Sequence, residues 1–156
     1  NIKLSKKLAD ASYLLLLLFT EANELQTEHD ELYQEAIALG LPAMCPNPDK
    51  LVPYGDSVRF PAGAFAQAYE HMGGSVYYFG KPYKGIYDFV LSKTKTKPNK
   101  ILAIGDSLET DIGGAKNAGI DSLLITGGMY RDEPDIPALF QQYDVVPTFI
   151  SNYLKY

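Results

Sequence analysis

The feature that most limits what this chain can become is the run Ile101-Leu102-Ala103-Ile104, followed at once by Gly105-Asp106-Ser107-Leu108-Glu109-Thr110-Asp111. Consecutive apolar residues that stop at a glycine read as a central parallel strand, and ligands in open α/β sheets collect outside the carboxyl ends of such strands. Asp106 then points into a crevice. Its carboxylate suits a hard cation such as Mg²⁺, which keeps several waters and takes only one or two protein carboxylates. The same residues also fit a helix start: Asp106 and Glu109 have capping-box spacing, and Ser107 is an equally good cap. The segment alone leaves both readings open.

The flanking sequence completes a strand-helix-strand unit. Residues 112–118 have a helical pattern, Gly119 sits where a C′ glycine belongs, and Asp121-Ser122-Leu123-Leu124-Ile125 resumes a strand. A similar unit lies upstream, where Val76-Tyr77-Tyr78-Phe79 leads into Gly80-Lys81-Pro82 and a helical pattern through Ile86, Phe89 and Val90. The fold class is α/β. Most lysines are solvated, but one held at a strand's carboxyl end can reach such a crevice and neutralise charge on a transferring phosphoryl group.

In order and spacing, Cys45-Pro46-Asn47-Pro48-Asp49, Pro61-Ala62-Gly63-Ala64, Gly73-Gly74, Gly80-Lys81-Pro82, and Gly105-Asp106 with Asp111 and Gly119 resemble the haloacid dehalogenase-like (HAD) superfamily, in its class IIA, NagD-like branch. The resemblance implies a three-layer, Rossmann-like core with a parallel sheet and an α/β cap. It makes Lys81 similar to the family's phosphate-and-nucleophile lysine, Asp106 to its Mg²⁺ ligand and Asp111 to the acid supporting the metal loop. The implied activity is Mg²⁺-dependent hydrolysis of a small phosphomonoester, of sugar-phosphate or nucleotide type, through an aspartyl-phosphate.

One departure governs the rest. The family's nucleophile comes from an Asp-x-Asp motif, and none occurs in these 156 residues. The Ser/Thr motif of the second core strand is equally unassignable. Both precede the cap in family order, so the chain is expected to be the carboxyl-terminal portion of a longer enzyme: 1–59 the end of the cap, 60–156 the second half of the core. By this reading the chain alone is inactive, and its missing amino-terminal segment is its first partner. The strands bearing the two absent motifs are expected between the strand ending near Phe79 and the one ending near Ile104. The rival reading is a non-catalytic domain that binds phosphorylated ligands or a protein.

Composition narrows the setting. The chain is 46% hydrophobic, enough for a real core, and its net charge of −5 disfavours a broad nucleic-acid surface. An anionic substrate would need a local positive site, which Lys81 with a metal would supply. A single cysteine, Cys45, excludes an internal disulfide framework and fits a reduced, cytoplasmic setting. The apolar run from Tyr13 to Phe19 is far below the ~20 residues that span a membrane, and 14–18 is expected to be a buried cap strand.

The remaining segments are read locally. A helix is expected over 28–39 with Leu32, Ala36 and Leu39 on one face and Gly40 closing it. Pro42 to Cys45 fits a short strand. Asn47-Pro48-Asp49 is either only a turn or, by family position at the cap's mouth, a substrate-contacting loop through Asn47 or Asp49. Pro61-Ala62-Gly63 forms a junction into a helix with Phe65, Tyr69 and Met72 on its apolar face. Gly63 is either a phosphate-facing helix start or a plain hinge or cap glycine. Asp144 through Ile150 reads as a final edge strand, since Pro147 would be unwelcome in a central one.

Overall fold

Alternating apolar residues start the first sheet: Leu16 is buried while Leu15 and Leu17 face outward, as a strand's two-residue period requires. The computed structural model describes residues 3–21, 29–55 and 57–155, and it divides into two units between Gly80 and Lys81. In the first unit β1 (Leu14–Leu15), β3 (Ala43–Cys45) and β6 (Val76–Tyr78) form a parallel sheet ordered β1-β3-β6. Ala43 stands opposite both Leu14 and Val76.

Two helices, α1 (Asp30–Ala38) and α2 (Ala62–His71), fill this unit's core with Tyr33, Ala36, Ala66 and Tyr69. The middle strand has small inward residues, Ala43 and Cys45, both fully buried. Tyr33 and Tyr69 meet edge to face, 5.2 Å between ring centroids, and the Tyr69 hydroxyl donates to the Leu41 carbonyl at 2.6 Å. Burial raises the Cys45 thiol pKa, and its S–H donates to the Asn47 carbonyl at 3.2 Å. The start of the helix expected over 28–39 lies outside the described residues at Glu28; α1 follows the described part, but it buries Tyr33 with Ala36, while Leu32 and Leu39, expected on the apolar face, are exposed.

A second, antiparallel sheet pairs β2 (Phe19–Glu21), β5 (Ser57–Pro61) and β4 (Val52–Tyr54) in the order β2-β5-β4, with Thr20 opposite Phe60. This pairing keeps residues 60–80 in the first unit, whereas the sequence reading divided the chain at 59/60. The physical reason is hydrogen bonding on both sides of that segment: β5 ends at Pro61 against Phe19, and β6 pairs with β3. The strand ending near Phe79, expected in the sheet of the 101–104 strand, thus belongs to the β1-β3-β6 sheet.

The second unit contains α3 (Lys84–Lys93), β7 (Leu102–Gly105), a π-helical turn at Leu108–Ile112, α4 (Gly113–Ala118), β8 (Asp121–Ile125), α5 (Ile136–Gln142) and β9 (Phe149–Ser151). Its sheet is parallel and ordered β7-β8-β9, with Ile104 opposite Leu123 and Leu123 opposite Phe149. Gly119 closes α4 in the left-handed conformation, φ 67°, as its place in the sequence requires. The last strand starts only at Phe149, after Pro147, and lies at the sheet edge.

Leu124 packs with Leu108, Ile112 and Val145 on one face of this sheet. On the opposite face Leu102, Ile104 and Phe149 are 42%, 50% and 54% exposed. Among the described residues β7 pairs with β8 alone. α3 forms where its pattern predicted, but Ile86, Phe89 and Val90 stay exposed. No helix among the described residues is long and apolar enough to cross a membrane.

Candidate active site

β7 ends at Gly105 because the chain must admit a carboxylate there: a Cβ on Gly105 would lie 2.2 Å from Oδ2 of Asp111. That oxygen accepts the backbone N–H groups of Asp106 and Ser107, both at 3.1 Å. The other oxygen, Oδ1, is ion-paired and hydrogen-bonded with the Lys81 ammonium. Asp111 is 9% exposed, while the Lys81 side chain is 51% exposed.

The π-helical turn seats Asp111. The Ser107 carbonyl accepts from both Asp111 N and Ile112 N at 3.0 Å, which widens the turn by one residue. Ser107 is the cap, its Oγ accepting from Thr110 N at 3.1 Å. Asp106 is therefore not used as the cap. Its Oδ2 instead accepts the Met129 N–H at 3.2 Å from the loop after β8. The two readings of this segment thus fall on adjacent residues.

Asp106 offers one anionic carboxylate whose Oδ1 accepts no hydrogen bond among the described residues. No group of three or more His, Cys, Asp or Glu suited to a metal occurs among them. The donor set therefore fits a hard cation that takes one protein carboxylate here and completes its shell with water or ligands from elsewhere. Beside Asp106 an open cleft of about 720 Å³ is lined by Gly105, Gly127, Gly128, Arg131 and Asn152, together with apolar residues including Ile104.

Tyr87 belongs to the same neighbourhood. Burial first, and then the Asp111 charge, raise its phenol pKa, with the Lys81 charge opposing. Arg131 Nε donates to the Gly127 carbonyl at 3.3 Å at the rim of the cleft. Neither residue stood out in the sequence, since a tyrosine in a helix and an arginine after a glycine pair carry no motif.

The other three sequence candidates lie in the first unit. Asn47 Oδ1 accepts Asp49 N at 3.2 Å, so the Asn47-Pro48-Asp49 stretch is an Asx turn. Gly63 faces that same loop: a Cβ there would stand 2.1 Å from the Pro48 carbonyl oxygen and 2.4 Å from that of Asp49. Close backbone approach accounts for this glycine. The structure thus brings Asn47, Asp49 and Gly63 together as one group and Lys81, Asp106 and Asp111 as another.

Residues 78–154 match the family described as HAD-hydrolase-like. The HAD-like hydrolase domain-containing protein 2 of Bos taurus is 28% identical over 135 residues, covering 82% of this chain and 52% of that protein. A dihydroxyacetone phosphatase of Corynebacterium glutamicum (strain R) is 27% identical over 138 residues, covering 86% and 48%. Among solved structures, a HAD-like hydrolase from Brucella suis 1330 superposes with a TM-score of 0.78 at 27% identity, covering 99% of this chain and 59% of that one. The chain spans about half the length of these curated relatives.

Proposed function

Since this chain belongs to the HAD-like hydrolases, we propose that it forms the lysine- and metal-loop portion of an Mg²⁺-dependent phosphomonoester hydrolase of the NagD-like branch. The observation that carries this reading is the shared carboxylate of Asp111. One of its oxygens holds the loop that presents Asp106, and the other holds the ammonium of Lys81. A positive group and a hard anionic donor, fixed by one buried side chain, suit a dianionic phosphoryl group and its cation.

In this reading Lys81 binds phosphoryl oxygens and stabilises the charge that grows on them during transfer. Asp106 would hold Mg²⁺, which when bound supplies further stabilisation of that charge. The nucleophile is an aspartate from outside these residues, since no Asp-x-Asp is present. Its carboxylate attacks phosphorus, the ester oxygen leaves as an alcohol, and water cleaves the aspartyl-phosphate. The exposed apolar face and the edge of β7 that pairs with no strand among the described residues support a sheet that is completed by further chain. A small sugar-phosphate-like substrate is supported by the likeness to a protein named dihydroxyacetone phosphatase.

The test uses the complete protein and p-nitrophenyl phosphate with Mg²⁺. Lys81→Ala should lower turnover by at least ~10²-fold while the fold survives. Near-normal turnover would return Lys81 to the solvated surface. The 156-residue chain alone should not turn over; metal-dependent hydrolysis by it, free of longer contaminants, would overturn the missing-nucleophile reading.

A further inference from the structure

We propose that Tyr87, Gly114 and Asn117 are positioning residues that clamp the segment bearing Lys81 onto the turn bearing Asp111. Asp111, Gly114 and Asn117 recur every third residue along the π-helical turn and α4, so they share one side of it. Each receives a different part of the lysine segment. Asp111 takes the Lys81 ammonium. Asn117 Nδ2 donates to the Pro82 carbonyl at 3.1 Å, one residue further on. Gly114 takes Tyr87: a Cβ at 114 would stand 2.1 Å from the tyrosine Oη and 2.6 Å from its Cζ.

The clamp answers two energetic questions. A half-exposed ion pair is too weak to hold a long side chain against its rotamer freedom, so the Lys81–Asp111 pair needs the backbone beside it fixed. Asn117 does that at Pro82, and Tyr87 does it by docking the first turns of α3. A glycine inside a helix is also unfavourable, and Gly114 has a reason to be one because the tyrosine occupies the space of its side chain. The electrostatic influence of Asp111 and Lys81 on the Tyr87 phenol agrees with this closeness.

The catalytic meaning of the clamp rests on the reading of Lys81 given above, but its geometry does not, and the experiment separates them. The 156-residue chain is exposed to trace acetic anhydride, and Lys81 acetylation is measured by mass spectrometry against exposed Lys3 and Lys97 as internal standards. In Asn117→Ala and Tyr87→Ala the relative rate at Lys81 should rise about 3- to 10-fold, the population change expected on losing one hydrogen bond. Tyr87→Phe, which keeps the ring, should restore the parent rate. Gly114→Ala should behave like Tyr87→Ala; should it fail to fold, Asn117→Ala, at an exposed position, still decides.

Unchanged Lys81 labelling in both Asn117→Ala and Tyr87→Ala would overturn the clamp. Raised labelling, accompanied in the complete protein by lower kcat on p-nitrophenyl phosphate with little change in KM, supports both the clamp and the role of Lys81. Raised labelling with unchanged kcat supports the clamp and sinks the phosphate-facing reading of Lys81.

Discussion

Gly128 and Asp106 fit each other so closely that a Cβ at position 128 would stand 2.2 Å from Oδ2 of Asp106. Met129 N reaches the same oxygen at 3.2 Å, so the loop after β8 both bonds the carboxylate and leaves it room. Gly128→Ala should therefore turn Asp106 aside or push the loop away, without backbone strain at 128 itself. The expected result is weaker Mg²⁺ binding with a stability loss of only ~1–2 kcal/mol. Metal titration and urea unfolding of the same variant check it; unaltered Mg²⁺ affinity would show that Asp106 does not need its present orientation.

Asp106→Asn separates charge from shape. The amide oxygen can still accept the Met129 N–H, so the fold should hold, while the complete protein should lose Mg²⁺ affinity and turnover because one hard anionic donor is gone. Unchanged affinity and turnover would make Asp106 a loop-tethering residue only.

Asp111→Ala should harm stability more than Lys81→Ala does. The aspartate's removal strips the N–H groups of Asp106 and Ser107 of a charged acceptor, a loss of roughly 2–4 kcal/mol. The lysine is half exposed, and its removal should cost under ~1 kcal/mol. Denaturant unfolding of the two variants measures the order; equal losses would mean that the ion pair, rather than the loop bonds, dominates.

Alkaline pH should weaken the first unit through Tyr33. Burial above all, then the charge of Asp30, push its phenol up to about 12 from 10.0. The folded state therefore keeps its proton where the unfolded chain loses it. This contribution is fully present below about pH 10 and is lost between about pH 10 and pH 12, ~3 kcal/mol in all. Tyr33 Oη has no hydrogen-bond partner among the described residues, so Tyr33→Phe should be close to neutral near pH 7 and should flatten the alkaline fall. Urea midpoints at about pH 9 and about pH 11 compare the two proteins; equal slopes would locate the alkaline sensitivity elsewhere, Tyr69 being the next candidate.

What could be read in advance was whatever neighbouring residues decide among themselves. The apolar run before Gly105 and the left-handed Gly119 are local signals, and the elements appear where those signals fall, whereas the last strand, expected from Asp144, starts only at Phe149. The β2-β5-β4 sheet was invisible because its pairing of Thr20 with Phe60 is a tertiary choice that no local pattern announces. Together with the pairing of β6 and β3, it keeps residues 60–80 in the first compact unit. At the site, the family resemblance singled out Lys81, Asp106 and Asp111, but the cap was undecided between Asp106 and Ser107. Met129 settled it from the loop after β8, by giving Asp106 another bond.

The sequence's single cysteine lies on the middle strand of the first unit with no surface exposed. An alkylating reagent can reach that sulfur only when the strand opens, so the rate of modification, set against a free thiol, is a clock for the opening of this unit alone. The second unit has no thiol and contributes no signal. A lesion placed there, such as Asp111→Ala, therefore becomes a probe of cooperativity. If the Cys45 clock keeps its pace, the two halves of the chain melt independently; if it quickens, they share one unfolding transition.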